Sequence, residues 1–171
     1  MEDLYAGLDV STQGQKIVVV DLEKRSVIYS DSINYDVDLP KYSTLNGVLK
    51  DTEFGVSESN PNMWIDSLHL LFERLKTSSD IIQSIKAISI AGQQHGLVAI
   101  DKDGNLAKPT SKLWNDFSTS KECEILTNQI GGPEKMITEV ANSQRTGYTA
   151  SKIFHMYRNE RELYDNTEHF L

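Results

Sequence analysis

Leu4-Tyr5-Ala6-Gly7-Leu8-Asp9-Val10, the small polar bend that follows it, and Lys16-Ile17-Val18-Val19-Val20-Asp21-Leu22 decide how this chain is read. Both flanks are apolar and rich in β-branched residues, which suit extended backbone, and the bend between them suits a tight reversal. The stretch therefore predicts a β-hairpin. Next to it, Ser26 to Tyr35 carries the alternating and mostly apolar set Val27, Tyr29, Asp31, Ile33 and Tyr35, with Asp21 to Arg25 as the turn, so a third antiparallel strand is expected.

Asp36 to Asn60 holds Pro40, Gly47 and Gly55 and has no sustained period, which reads as an ordered excursion from the sheet. Asn60-Pro61 then resembles an N-cap followed by a first-turn proline, and Trp64, Leu68, Leu71, Phe72 and Leu75 recur at helical spacing. Ile85 to Ala91 is expected as a buried strand and Leu97 to Ile100 as another, with Asp101 to Gly104 turning toward Leu113. From Ser118, read as a cap, the pattern is helical. Cys123, Leu126 and Ile130 share a face and Gly131-Gly132-Pro133 ends it, with further helices over Pro133 to Val140 and Tyr148 to Arg158. Glu168 to Leu171 enters another strand. Meander, crossover helix, strands and then helices describe an α/β domain with helices against a mixed sheet.

The chain has 171 residues, 39% of them hydrophobic, enough to bury a core and best matched to one domain. A formal charge of -8 offers no basic field for a polyphosphate backbone, so no nucleic-acid or anionic-membrane partner is expected. The single Cys123 forms no internal disulfide, and no Cys and His pair has zinc spacing. The acidic start lacks a following apolar run, so neither a secretory signal nor a membrane span is expected, and the compartment expected is the cytoplasm.

Three clusters carry chemistry. In the bend from Asp9 to Lys16, a strand-end carboxylate suits hydrated Mg2+, hydroxyl and N-H groups suit phosphate oxygens, and Lys16 supplies positive charge, although ordinary hairpin turns use the same small polar residues. Gly92-Gln93-Gln94-His95-Gly96 collects polar side chains at a strand end, as a small-ligand site does. His95 offers a donor and an acceptor to hydroxyls, or a structural hydrogen bond. In Trp114-Asn115-Asp116, the indole suits a sugar's C-H face and the carboxylate its hydroxyls. The alternatives are a core tryptophan and a helix-capping aspartate.

Asp9, Thr12 and Lys16 match the Asp-x-Gly-Thr-x-x-x-Lys phosphate motif of sugar kinases with the actin-like, ribonuclease H-like fold, with Ser11 at the glycine position. The chain resembles the FGGY carbohydrate kinases, and within them the eukaryotic-type xylulokinases, which share an Asp-x-Ser-Thr-Gln opening. Asp38-Leu39-Pro40 followed by Gly47-Val48 is similar to their insertion. Gly92 to Gly96 resembles their Gly-Gln-x-His-Gly segment, whereas glycerol kinases carry Asn-Gln-Arg-Glu there. Trp114-Asn115-Asp116 resembles Trp-x-Asp, and Asp116-Phe117-Ser118-Thr119 is closer to the eukaryotic Asp-Ser-Ser-Thr than to members with arginine at the Ser118 position. Gly131-Gly132, Thr146-Gly147 and Lys152 extend the likeness, and Arg145 stands one residue from the subgroup's arginine.

The resemblance implies an actin-like ATPase domain of class α/β with a mixed five-stranded sheet and helices packed on it. Residues 1–171 would form the N-terminal FGGY domain, truncated, with the C-terminal domain absent. It implies ATP and Mg2+ as cofactors. Asp9 (to the metal through water), Ser11, Thr12, Gln13 and Lys16 are expected at the phosphates, and Gln94, His95, Trp114, Asp116 and Arg145 at the sugar. The catalytic base aspartate is expected beyond Leu171, so the fragment alone would not turn over. The substrate implied is D-xylulose. Ribulose or another ketose stays open, as does a non-catalytic module sensing a sugar or nucleotide, and a homodimer is compatible with the likeness. The bend after the first strand and the two later strand ends are expected to meet in one cleft.

Overall fold

The computed structural model describes residues 3–78 and 80–171. Strands β1 (Leu4–Val10), β2 (Gly14–Asp21) and β3 (Ser26–Asn34) follow one another. After them come a short helix α1 (Tyr35–Asp38), a 3-10 turn Pro40–Tyr42, and strands β4 (Thr44–Leu45), β5 (Val48–Leu49) and β6 (Glu58–Ser59). Helix α2 (Pro61–Ser78) leads to β7 (Ile85–Gly92). Beyond it lie β8 (Ala99–Ile100), β9 (Ser111–Lys112), α3 (Ser120–Ile130), α4 (Pro133–Val140), α5 (Thr149–Asn159), α6 (Arg161–Asp165) and β10 (His169–Phe170). The chain divides into two compact units, one reaching Lys50 and resuming over Asn60–Gln93, the other comprising Asp51–Ser59 and Gln94–Leu171. Among the described residues no helix is long and apolar enough to cross a membrane.

The first unit is a mixed sheet in the order β3-β2-β1-β7, antiparallel except for the parallel pair β1 and β7. Alternation decides which side is covered. Leu4, Ala6 and Leu8 of β1, Ile17 and Val19 of β2 and Ile33 of β3 are buried together with Met63, Leu71 and Leu75 of α2. Leu71 and Leu75 have no exposed surface, and burying each contributes roughly 1.5–3 kcal/mol relative to exposure. The expected helix start is present, since the Asn60 side chain accepts from the Asn62 N-H at 2.9 Å ahead of Pro61.

Two expectations for this sheet change. Among the described residues it holds four strands, not five, because the segment expected as the fifth, Leu97 to Ile100, shortens to β8 and pairs antiparallel with β10 in the second unit. Strand β7 forms where expected but is exposed beyond Ile85, with Ile88 at 47% and Ile90 at 64% exposure. Alternation foretold the strand, but burial depends on what packs against it, and α2 lies over β2 and β3.

In the second unit, β6 pairs with β9, and Ala99, Ala107 and Met156 form a small core with Leu163, Tyr164 and Phe170. Its polar centre is an ion network. Lys108 reaches Glu160 at 2.6 Å and Glu58 at 3.7 Å, and Lys112 reaches Glu58 at 3.2 Å. Helix α3 stops at Gly131 in a left-handed conformation, as its sequence foretold. At the other end, Thr119 and not Ser118 holds the N-cap position, without a side-chain capping bond, its hydroxyl lying 3.0 Å from that of Ser151. The Ser118 hydroxyl is drawn instead to Asp116 Oδ1 at 2.6 Å.

Candidate functional site

The bend between β1 and β2 is closed by the Ser11 N-H donating to the Gly14 carbonyl at 3.0 Å. Cross-strand register sets Asp9 opposite Lys16, so a carboxylate and an ammonium flank the mouth of the turn. The Ser11 hydroxyl donates to Asp9 Oδ2 at 2.9 Å, and the Thr12 hydroxyl donates to Gln93 Oε1 at 3.1 Å, just beyond β7. Ser11 keeps a negative φ, so a serine fills the motif's glycine position without strain. A shallow depression of about 280 Å3 opens here, lined among others by Asp9, Ser11, Gln13 and Lys16.

Buried Tyr35 fastens the turn from behind. Its hydroxyl donates to the Ser11 carbonyl at 3.2 Å and its N-H to the Gln13 carbonyl at 3.1 Å. Burial pushes its phenol up to about 12, so at neutral pH it stays a donor. The excursion expected from the sequence supplies a second brace. Asp36 accepts from the Thr44 hydroxyl at 2.7 Å and from the Asn46 and Gly47 N-H groups at 2.6 and 3.1 Å. Burial would raise its pKa, but these hydrogen bonds and the Lys50 charge outweigh it and hold the carboxyl below the usual range. Gly47, at φ +76°, lies against the Thr12 carbonyl so closely that a β-carbon would clash.

The donor set fits a hydrated metal and phosphate. Asp9 is exposed, and among the described residues no three His, Cys, Asp or Glu side chains gather into a metal cage. Mg2+ characteristically keeps several waters and takes one or two carboxylates plus substrate phosphates, and Asp9 suits that arrangement.

In the second unit a cavity of about 550 Å3 brings together His95, Trp114 and Arg145, with Tyr148, Phe117 and Cys123 completing its wall. His95 has φ +61°, and its ring lies 4.7 Å from that of Tyr148 at 41°. Trp114 is 51% exposed, a flat apolar wall open to a ligand. Gly147 passes so close to the Trp114 carbonyl that a β-carbon would clash, which ties the Arg145 segment to the Trp-x-Asp segment. The Arg145 side chain is exposed, its Nε 3.5 Å from the Ser143 hydroxyl, and its fork is open to a ligand.

Two expected residues stand apart from this cavity. Gln94 is exposed and does not line it. Asp116 is wholly buried. Its Oδ2 accepts from the Ser57 N-H at 2.8 Å, its Oδ1 accepts from the Ser118 N-H and hydroxyl at 3.1 and 2.6 Å, and Lys112 lies 3.5 Å away. Both its oxygens serve the loop that carries Trp114. The sequence places Cys123 and Tyr148 on helices and Phe117 in the Asp116-Phe117-Ser118-Thr119 likeness, and marks none of the three as lining a site. It gave Lys152 no role, although this buried ammonium donates to the His95 carbonyl and to the Gly147 carbonyl. The only signal for Tyr148 was an aromatic side chain directly after Thr146-Gly147.

The N-terminal domain profile of the FGGY family of carbohydrate kinases matches residues 4–171. A xylulose kinase of Schizosaccharomyces pombe is 37% identical over 184 residues, covering 96% of this chain and 32% of that protein. A xylulose kinase of Haemophilus influenzae is 33% identical, covering 95% and 31%. The chain thus spans about a third of the length of the curated relatives it matches. The crystal structure of a xylulose kinase from Rhodospirillum rubrum superimposes with a TM-score of 0.81 over 98% of this chain and 31% of that one, at 19% identity. That likeness establishes the actin-like α/β fold of sugar kinases. With the domain profile running from the first strand to the final residue, this chain belongs to the FGGY family of carbohydrate kinases, as its N-terminal domain.

Proposed function

We propose that this chain is the N-terminal part of a cytoplasmic ATP-dependent xylulose kinase, whose remaining length supplies the second domain and the aspartate that deprotonates the substrate. The reaction is transfer of the γ-phosphoryl group of ATP to the 5-hydroxyl of D-xylulose. The observation that carries this reading is the gathering of His95, Trp114 and Arg145, far apart in sequence, around one cavity.

Mg2+, when bound, supplies charge neutralisation on the phosphate oxygens. Asp9 would hold that ion through water and Lys16 would add positive charge across the turn, while Ser11, Thr12 and Gln13 would face the phosphates, the Ser11 and Thr12 hydroxyls turning from Asp9 and Gln93 to donate to them. In the cavity, the Trp114 indole packs on the sugar's C-H face while His95 and Arg145 take its hydroxyl oxygens. Gln94 flanks the site, and Asp116 acts as a positioning residue that fixes the Trp114 loop. Because positioning supplies most of the rate in phosphoryl transfer, these residues set the approach of the 5-hydroxyl.

The test is a coupled ADP-release assay of the full-length protein against D-xylulose, D-ribulose and glycerol. kcat/KM for D-xylulose is expected to exceed the others by about a hundredfold, the discrimination available to a site that hydrogen-bonds particular hydroxyls. Preference for D-ribulose or glycerol would overturn the substrate assignment. ATP turnover with no sugar would overturn the kinase reading in favour of a sensing module.

A further inference from the structure

Lys152 on α5 has no exposed surface, yet it carries an ammonium and, among the described residues, no carboxylate lies within 4.0 Å of its nitrogen. Its hydrogen bonds go to two backbone carbonyls, those of His95 and Gly147, the latter at 2.8 Å. The two carbonyls belong to different walls of the cavity. His95 follows β7 by three residues, and Gly147 lies in the segment between Arg145 and Tyr148. Burying an ammonium is costly unless it is hydrogen-bonded.

The His95 backbone is the strained partner. A histidine at φ +61° sits in the left-handed region, which a non-glycine residue keeps only where the surroundings hold it. The Lys152 bond to the His95 carbonyl and the Tyr148 ring beside the imidazole both supply such a hold. Tyr148 is itself fixed by its N-H donating to the Arg145 carbonyl at 2.9 Å.

We infer that Lys152 is a positioning residue for sugar recognition, an internal clamp that joins the His95 and Gly147 walls and holds the imidazole in its hydroxyl-reading pose. The inference rests on the reading of this cavity as the ketose site. Burial also lowers the Lys152 pKa to about 8, with Asp116 opposing the shift and Lys112 adding to it. The other titratable groups around it are His95 and Tyr148, while Glu122 of α3 is taken up by Arg158 and His155 on the far turns of α5. Loss of the proton above about pH 8 removes the charge that strengthens both bonds of the clamp, so ketose affinity falls on the alkaline side. Global stability moves the other way. Between the folded pKa of about 8 and the ordinary 10.5, the unfolded chain holds a proton that the folded one lacks, so this group's contribution to stability rises with pH.

The experiment compares this chain with its Lys152→Met variant, which keeps the apolar stem and removes the donors. Amide hydrogen exchange is read at Leu97 and Tyr148, and D-xylulose affinity by NMR titration from well below to well above about pH 8. Exchange at both amides is expected to quicken, and affinity below pH 8 to weaken, by about tenfold or more, the effect of losing a charge-assisted hydrogen bond. The alkaline decline of the wild type is expected to be absent from the variant. Unchanged exchange, or an alkaline decline that persists in Lys152→Met, overturns the clamp. Faster exchange in the variant, with D-xylulose bound by neither protein, retains the clamp and overturns the ketose reading. If the variant does not fold, the wild-type titration decides, and a flat affinity across about pH 8 overturns the inference.

Discussion

Asp9→Asn in the full-length protein is expected to lower kcat/KM for ATP by about 10^2–10^3-fold, while the melting temperature stays close to that of the wild type. The substitution keeps the shape of the side chain and its acceptor oxygen for the Ser11 hydroxyl, but removes the charge that faces Lys16 across the turn. A neutral amide holds a hydrated Mg2+ poorly and leaves Lys16 without its opposite charge. The effect should therefore fall on the nucleotide and not on the ketose. Stability should change by no more than about 0.5 kcal/mol, since Asp9 is exposed and outside the buried core. If kcat/KM stays within about threefold of the wild type, the turn does not hold the phosphates.

Asp116→Ala carries the largest expected cost in stability, about 3–5 kcal/mol, a large share of what a domain of this size has to lose. Its carboxylate has no exposed surface and accepts from the Ser57 N-H, the Ser118 N-H and the Ser118 hydroxyl. Alanine leaves those donors orphaned and removes a negative charge 3.5 Å from buried Lys112. Glu58, 3.2 Å from Lys112, offsets part of that loss. The carboxylate and its partners Ser57 and Ser118 all lie in the second unit with Trp114, whereas Trp64 lies in the first, so the two indole NMR signals report the two units separately. In urea, the Trp114 transition is expected to move to markedly lower denaturant and the Trp64 transition to stay. An unchanged Trp114 midpoint would show that the carboxylate does not hold the loop.

The sequence was most informative where chemistry is local. A run of β-branched residues, an Asn60-Pro61 helix start and a Gly131 helix stop each impose backbone geometry within a few residues, and each stands where its pattern put it, although β2 opens at Gly14, two residues ahead of Lys16. Ser118 was less legible, because two neighbouring hydroxyl residues compete for one helix end and Asp116 decides between them by drawing Ser118 to itself. The exposure of β7 was not legible at all, since alternation specifies a face and not what covers it. Of the candidate sugar residues, His95, Trp114 and Arg145 line one cavity, while Gln94 and Asp116 do not. Motif spacing cannot distinguish a side chain that meets a ligand from one that fixes the loop beside it. Lys152 matches the family pattern, but its role was not legible for a related reason. A lysine in a helix reads as solvated until the fold turns it inward.

The most direct test of the central claim, that one reaction uses both the Asp9 turn and the His95 cavity, is paramagnetic relaxation of D-xylulose protons by a Mn2+ complex of a non-hydrolysable ATP analogue on the full-length protein. The prediction is strong enhancement in the ternary complex, greatest at the protons beside the 5-hydroxyl and lost in Asp9→Asn. If both ligands bind while D-xylulose relaxes identically with and without the Mn2+ complex, the turn and the cavity do not serve one phosphoryl transfer.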